Sequence, residues 1–290
     1  MSAEPIERLT VPGAVAAAAG ELAAAGVASA RTDAELLAAH VLGVPRARLL
    51  TVAEFTTRQA ALYRSLVAAR AARVPLQHLT GLAPFRHLLL AVGPGVFVPR
   101  PETELLVEWG LRWLRSADRG APTVVDLCAG SGAIALSVAA EHPDAAVYAV
   151  ESEPAALMWL RRNAGEGGVT VVPGDATDPV VLSELDGRVD LVLSNPPYVP
   201  EVAAPTLPPE VTAHDPHGAV FGGIDGLDVI RPLIGRVAAL LRPGGALGVE
   251  HDDTQGMVIH ALLLADGRFT DLEPHWDLAG RLRYTTAVRA

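Results

Sequence analysis

The chain has 290 residues, half of them hydrophobic and 19% charged, with a formal net charge of −10 and one cysteine, Cys128. That length accommodates a large domain beside a small one, and a lone thiol excludes both an internal disulfide and a cysteine-based metal site. The acidic balance is a poor match for a protein that wraps duplex DNA, because such grip comes from cations that neutralise phosphates.

All 23 basic residues are arginine, which we read as biased nucleotide composition and not as function. Residues 1–75 hold eight arginines against six acids, so the remainder of the chain carries the whole negative excess. Glu4 and Glu7 stand ahead of an alanine-rich segment broken by Gly20 and Glu21, so no signal peptide is expected. No unbroken apolar run approaches about 18 residues, so no membrane span is expected either, and a reducing cytoplasm is the expected location.

Residues 1–75 read as a small helical bundle. An alanine-rich helix covers Ala14 to Ala25, and Thr32 with Glu35 has capping-box spacing ahead of a face marked by Leu36/His40 and Leu37/Val41. A second amphipathic run carries Leu62, Leu66, Ala69 and Arg73. No group here is arranged for catalysis, which leaves packing or recognition of a partner. Residues 76–101 change character. Two apolar runs, Phe85 to Val92 and Val96 to Val98, flank Gly93-Pro94-Gly95 and read as a hairpin linker. Pro99-Arg100-Pro101-Glu102-Thr103-Glu104 then leads into a helix with Leu106, Trp109 and Trp113 on one face.

Residues 102–290 alternate strand and helix, which implies a mostly parallel sheet covered on both faces. A strand from Thr123 ends in Asp126-Leu127-Cys128-Ala129-Gly130-Ser131-Gly132, and a helix follows from Ala133 to Ala140. Strand, glycine turn and helix let a ligand approach backbone at a helix N-terminus. The preceding acid, Asp126, suits a cationic amino-acid head better than a pyrophosphate. The next strand, Ala146 to Val150, ends in Glu151, placed to accept hydrogen bonds from a ribose diol. A third, Val169 to Val172, ends in Gly174-Asp175, whose carboxylate faces an adenine amino group in this reading.

The fourth strand, Val189 to Leu193, stops at Ser194-Asn195-Pro196-Pro197-Tyr198. Two prolines forbid continuation and stiffen the backbone, so a polar amide is held where open α/β sheets bind ligands. Asn195 offers a carbonyl acceptor and an amide donor, and the Tyr198 ring can cover a flat group, so the pocket suits a planar –NH2 substrate. A long proline-containing loop runs on to His214-Asp215-Pro216-His217-Gly218. A helix is predicted over Leu227 to Leu241, a turn at Pro243-Gly244-Gly245, and a strand over Ala246 to Glu250. Two edge strands are predicted near Phe269 to Glu273 and Arg283 to Val288. His251-Asp252-Asp253 reads as a turn and helix cap, not as a metal site.

Together, Pro99 to Glu104, Asp126 to Gly132 and Ser194 to Pro200 resemble the protein-(glutamine-N5) methyltransferases that modify peptide chain release factors. The resemblance extends over nearly the whole chain. It implies a class I methyltransferase domain, seven-stranded and Rossmann-like, that takes its methyl from S-adenosylmethionine and yields S-adenosylhomocysteine. It also implies that the helical front end docks the release factor and that the acceptor is the glutamine of its GGQ loop. Carried over by position, Asp126 and Cys128, Ala129, Gly130, Ser131 and Gly132 surround the methionine part, Glu151 the ribose, and Asp175 with Ala176 the adenine. Asn195, Pro196, Pro197 and Tyr198 receive the glutamine, with Asn195 also beside the cofactor. Ala176 departs from the aromatic residue of many relatives, and Cys128 from the usual first glycine. A glutamine methyltransferase of a ribosomal protein and an adenine-N6 methyltransferase of nucleic acid stay open, since the Asn-Pro-Pro-Tyr motif also serves adenine.

Overall fold

In a computed structural model, residues 9–116, 120–165 and 167–290 are described, and the reading of Glu4 and Glu7 lies outside them. The chain divides into two compact units, one ending at Gly81 and one beginning at Leu82. No helix among the described residues is long and apolar enough to cross a membrane.

The first unit holds α1 (Val11–Ala24), α2 (Ala30–Leu42), α3 (Thr57–Ala71) and α4 (Leu76–Thr80). It runs past the expected limit at residue 75 because Leu76–Thr80 add one more helical turn, closed by Gly81 at φ 73°. The capping box expected at Thr32 and Glu35 is instead formed by Thr56 and Gln59 at the start of α3. Helix α2 already begins at Ala30, and Glu35 is drawn away by Arg31 and Arg46, each at 2.6 Å. The buried stripes also differ from those predicted. Asp33, Ala34, Leu37 and Ala38 of α2 face Ala60, Tyr63, Val67 and Arg70 of α3, whereas His40 and Leu62 are exposed. An ion pair explains the shift: Arg70 Nε reaches Asp33 Oδ2 at 2.7 Å with both side chains buried, so a charged residue occupies an interior position that hydropathy does not anticipate.

The second unit opens with a hairpin, β1 (Leu82–Phe85) and β2 (Leu88–Ala91). Its turn is Arg86-His87, within the apolar run expected to be one strand, and Gly93-Pro94-Gly95 follows the hairpin. Arg86 takes φ 50° and its guanidinium binds Glu141 at 2.6 Å and Glu108 at 2.9 Å. These tertiary ion pairs hold a backbone shape that local sequence would assign to glycine.

The large sheet follows: α5 (Thr103–Ser116), β3 (Thr123–Leu127), α6 (Ala133–Glu141), β4 (Ala146–Glu151), α7 (Pro154–Ala164), β5 (Val169–Pro173) and β6 (Val189–Ser194). Short α8 (Pro209–His214) and α9 (His217–Val220) interrupt the long loop before α10 (Ile230–Leu240), β7 (Leu241–Glu250), α11 (Gly256–Asp266), β8 (Phe269–Trp276) and β9 (Leu282–Arg289). Strand order is β5-β4-β3-β6-β7-β9-β8, parallel from β5 to β7 and antiparallel beyond. Val124 packs with α5 and α6 on one face while Val125 packs with α10 on the other, as strand alternation requires. Pro243-Gly244-Gly245, expected as a turn ahead of β7, lie in a bulge inside it: Leu241 already pairs with Val189, and Arg242 Nε donates to Asp190 Oδ1 at 2.6 Å. Asp252 accepts from Thr254 N at 3.0 Å in the turn that sequence predicts ahead of α11, but the predicted cap is not formed: the N-cap is Gln255, without a side-chain cap bond. Chain direction reverses its march across the sheet between β3 and β6, so a crevice opens at their carboxyl ends.

Candidate active site

Both flanks of that crevice come from predicted motifs. After β3 the backbone turns through Cys128 at φ 64°, Gly130 at 58° and Gly132 at 89°. A β-carbon on Gly132 would lie 2.7 Å from Leu160 Cδ1, so only glycine fits where the turn enters α6. Cys128 tolerates the same left-handed shape with a side chain, and burial pushes its thiol well above the usual range, so it stays protonated and is no nucleophile.

Glu151, at the end of β4, is buried and ties the turn down. Its Oε2 accepts from Gly130 N at 2.7 Å and its Oε1 from Glu153 N at 2.8 Å. Each oxygen keeps a further lone pair for a ligand diol. Asp175, after β5, is exposed and folds into a side-chain turn by accepting from Thr177 N at 2.8 Å.

At the end of β6, Ser194 Oγ donates to Leu127 O at 2.7 Å and locks the two flanks together. Asn195 Nδ2 donates to Thr103 Oγ1, 3.1 Å away in the first residue of α5. The amide's donor end is therefore engaged by the protein, and its oxygen is left as the acceptor.

One cavity brings together nine of the predicted residues: Cys128, Ala129, Gly130 and Ser131 from the turn, Glu151, Asp175 and Ala176 from strand ends, and Asn195 with Pro197. Four others stand behind its wall. Asp126 is fully buried, with Oδ2 accepting from Ala135 N at 3.0 Å, and burial lifts its pKa to about 8. Strand alternation turns this side chain into the interior, so it does not line the cavity where a contact with a cationic head was expected. Gly132 lies beneath the turn against Leu160. Pro196 contributes no lining atoms. Tyr198 packs against the apolar core, and its hydroxyl donates to Glu250 Oε1 at 3.1 Å, which turns the ring away from the cavity.

Residues outside the predicted set complete the lining. Phe97, Pro99 and Thr103 come from the segment ahead of α5, and Pro216 and Gly218 from the long loop. The proline- and acid-rich motif flagged Pro99 and Thr103, but nothing local marked Phe97. The loop is fastened by Asp215, whose carboxylate lies 2.6 Å from Arg100 Nη2 with almost no exposure. Burial raises that carboxyl to about 6 against the pull of Arg100. Beside Ala176, which brings no ring, the wall is apolar through Ile134, Val150 and Val229.

The cavity thus offers backbone amides and a buried carboxylate along one side and an apolar slot along another, a donor set that fits a nucleoside carrying an amino-acid tail. A seven-stranded sheet of this order, with a glycine turn after β3, an acid ending β4 and Asn-Pro-Pro-Tyr after β6, defines a class I methyltransferase. Comparison with known proteins narrows that class. The PrmC N-terminal domain family matches residues 13–81 and the methyltransferase small domain family matches residues 103–207. A release factor glutamine methyltransferase of Mycolicibacterium smegmatis is 53% identical over 276 residues, which span 95% of this chain and 96% of that protein. Its counterpart in Streptomyces coelicolor is 50% identical over 95% of this chain and 97% of its own, and that of Deinococcus radiodurans 41% identical over 94% and 96%. The chain belongs to the release factor glutamine methyltransferase family.

Proposed function

We propose that this protein methylates the side-chain amide N5 of a glutamine in a peptide chain release factor, with S-adenosylmethionine as donor and the cytoplasm as the place of action. One observation supports the site assignment: Asn195 Nδ2 donates to Thr103 Oγ1, and we assign the amide oxygen to the substrate. The acceptor is the glutamine of the GGQ loop, and its methylation modulates translation termination.

Gly130, Ser131 and Glu151 hold the donor's amino-acid and ribose parts, and Asp175 with Ala176 borders its base. When bound, S-adenosylmethionine supplies an electrophilic methyl on a sulfonium. A glutamine nitrogen is a weak nucleophile because its lone pair is delocalised into the carbonyl. The Asn195 oxygen accepts one of its N–H groups, favours positive charge on that nitrogen as it attacks, and orients it for in-line displacement. Pro197 offers no N–H to compete. One amide proton departs after the nitrogen–methyl bond forms, and no strong base is needed beforehand. Tyr198 serves as a brace for the motif through Glu250, not as a cover over the amide. The helical unit has no part in this chemistry, and we assign it to docking of the release factor.

The test is mass spectrometry after incubation of the full chain and S-adenosylmethionine with a purified release factor, a ribosomal protein or DNA. A 14 Da gain on the release factor glutamine is the expected result, about one methylene in mass by the stoichiometry of methyl transfer. Modification of adenine or of the ribosomal protein alone would overturn the reading.

A further inference from the structure

Beyond Tyr198 the chain makes an excursion whose neck is closed by backbone bonds: Val199 N donates to Val220 O and Gly222 N to Val199 O, each at 3.0 Å. No residue from 201 to 214 is buried, but the returning end turns inward, and Pro216, Gly218 and Ala219 form part of the cavity wall. A β-carbon on Gly218 would lie 3.9 Å from Glu153 Oε1, just past the end of β4, although the neck stands beyond β6. Strand β3 lies between those two in the sheet. The return therefore passes over the carboxyl end of β3, where the glycine turn begins.

Phe97 and Pro99 line the same cavity from the segment ahead of α5, and Arg100 joins the two walls. Its Nη2 donates to Asp215 Oδ2 at 2.6 Å, one residue before Pro216, and its guanidinium carbon stands 4.7 Å from the centre of the Phe97 ring. Another tie within the loop, His217 Nε2 at 3.2 Å from Glu201 Oε1, is 70% and 43% exposed, and such pairs hold little. Asp215 is different: its side chain is 1% exposed, and its Oδ1 has no hydrogen-bond partner among the described residues. A buried carboxylate deprived of its cation must find water. Without Arg100, Asp215 has to leave the wall, and Pro216 and Gly218 go with it. We infer that Arg100 and Asp215 are positioning residues for the methyl donor: their ion pair holds the loop return against the cavity and retains bound S-adenosylmethionine, and exchange of donor for product requires the pair to part.

This inference rests on the methyltransferase reading above, and its experiment separates the two. Donor release is measured without any acceptor, so failure of the wild-type chain to methylate a release factor sinks the acceptor reading alone. A wild-type chain that does not bind S-adenosylmethionine overturns both. Full-length Arg100→Gln, Asp215→Asn, Arg100→Lys and the double variant Arg100→Gln with Asp215→Asn are compared with wild type. The readouts are the rate at which labelled S-adenosylmethionine leaves under an unlabelled chase, its calorimetric Kd, hydrogen exchange and thermal unfolding. Cutting a buried charge pair acts chiefly on dissociation, so the donor should leave roughly 10- to 100-fold faster from the first two. Arg100→Lys keeps the cation but not the planar fork and should fall between wild type and Arg100→Gln. The double variant should release no faster than the faster single one, because both changes cut the same pair.

Hydrogen exchange distinguishes retention from simple packing. In the donor-free variants, exchange should accelerate over residues 200–220 while β3, β4 and β6 stay protected, since only the loop is set free. A pair that merely stabilised the fold would instead lower Tm and loosen the sheet as a whole. Release within about twofold of wild type from Arg100→Gln and Asp215→Asn, or faster release accompanied by loosening across the sheet, overturns the inference. If Asp215→Asn does not fold, Arg100→Gln decides by the same limits.

Discussion

Replacing Asn195 by alanine removes the site's principal acceptor and the 3.1 Å bond to Thr103 Oγ1. The two losses fall on different quantities. A neutral hydrogen bond contributes about 0.5–1.5 kcal/mol net to folding, so the variant should stay folded and melt only a few degrees lower. In the proposed reaction the Asn195 oxygen faces a nitrogen on which charge builds, inside a cavity walled by Pro197, Phe97 and Val229. Removing one such preorganised contact costs about 2.7–4 kcal/mol, roughly 100- to 1,000-fold in kcat. Transfer of labelled methyl groups to intact release factor, at saturating donor and several substrate concentrations, separates kcat from KM. Thermal unfolding and calorimetry of donor binding report whether the cavity survives. A variant that methylates within about threefold of wild type would falsify the assignment, because an effect of that size is below about 1 kcal/mol and leaves no place for Asn195 in the transition state.

Further perturbations test the frame around that amide. Glu151→Gln keeps the shape but loses the charge that holds Gly130 N and Glu153 N, so donor affinity should fall roughly tenfold or more; an unchanged calorimetric Kd removes Glu151 from the site. Gly132→Ala meets a φ of 89° and a Leu160 contact at 2.7 Å, and should cost about 2–5 kcal/mol in urea unfolding from backbone strain and overpacking combined. A wild-type midpoint would mean that the turn relaxes freely. Burial raises Asp126 from 3.8 to about 8, so folding favours its protonated form; the stability this confers is complete below about pH 4 and fades as pH rises toward about 8. Asp126→Asn should flatten that decline in a plot of Tm against pH, and an identical slope would show that Asp126 does not titrate there. Deleting the unit that ends at Gly81 should raise KM for intact release factor far more than for a short glutamine peptide, since docking energy is available only to the whole substrate. Equal effects on both substrates would refute a docking role.

Much of this organisation is legible along the chain because its causes are local. Proline after Asn195 ends β6 by removing N–H groups, and glycine at 130 and 132 permits a turn that ordinary residues resist. Alternation of apolar runs and amphipathic stretches therefore located every strand of the large sheet, the acid that ends β4 and the one that follows β5. Local signals failed where distant charges intervened. The Asp33–Arg70 pair rotates the helices of the first unit, Arg86 with Glu108 and Glu141 moves the hairpin turn, and Asp190 draws Arg242 into a bulge.

The site divides in the same way. Sequence by itself determined that an asparagine amide stands rigidly at a strand end, near a glycine turn and an acid suited to a nucleoside. Strand order, which no local pattern encodes, decided that β3 and β6 are neighbours and that their ends share one crevice. Only the tertiary structure paired Asn195 with Thr103 across 92 positions and Tyr198 with Glu250 across 52. Hydrogen-bond polarity depends on which groups meet in space, so the orientation of the amide belongs to the fold, while its presence belongs to the sequence.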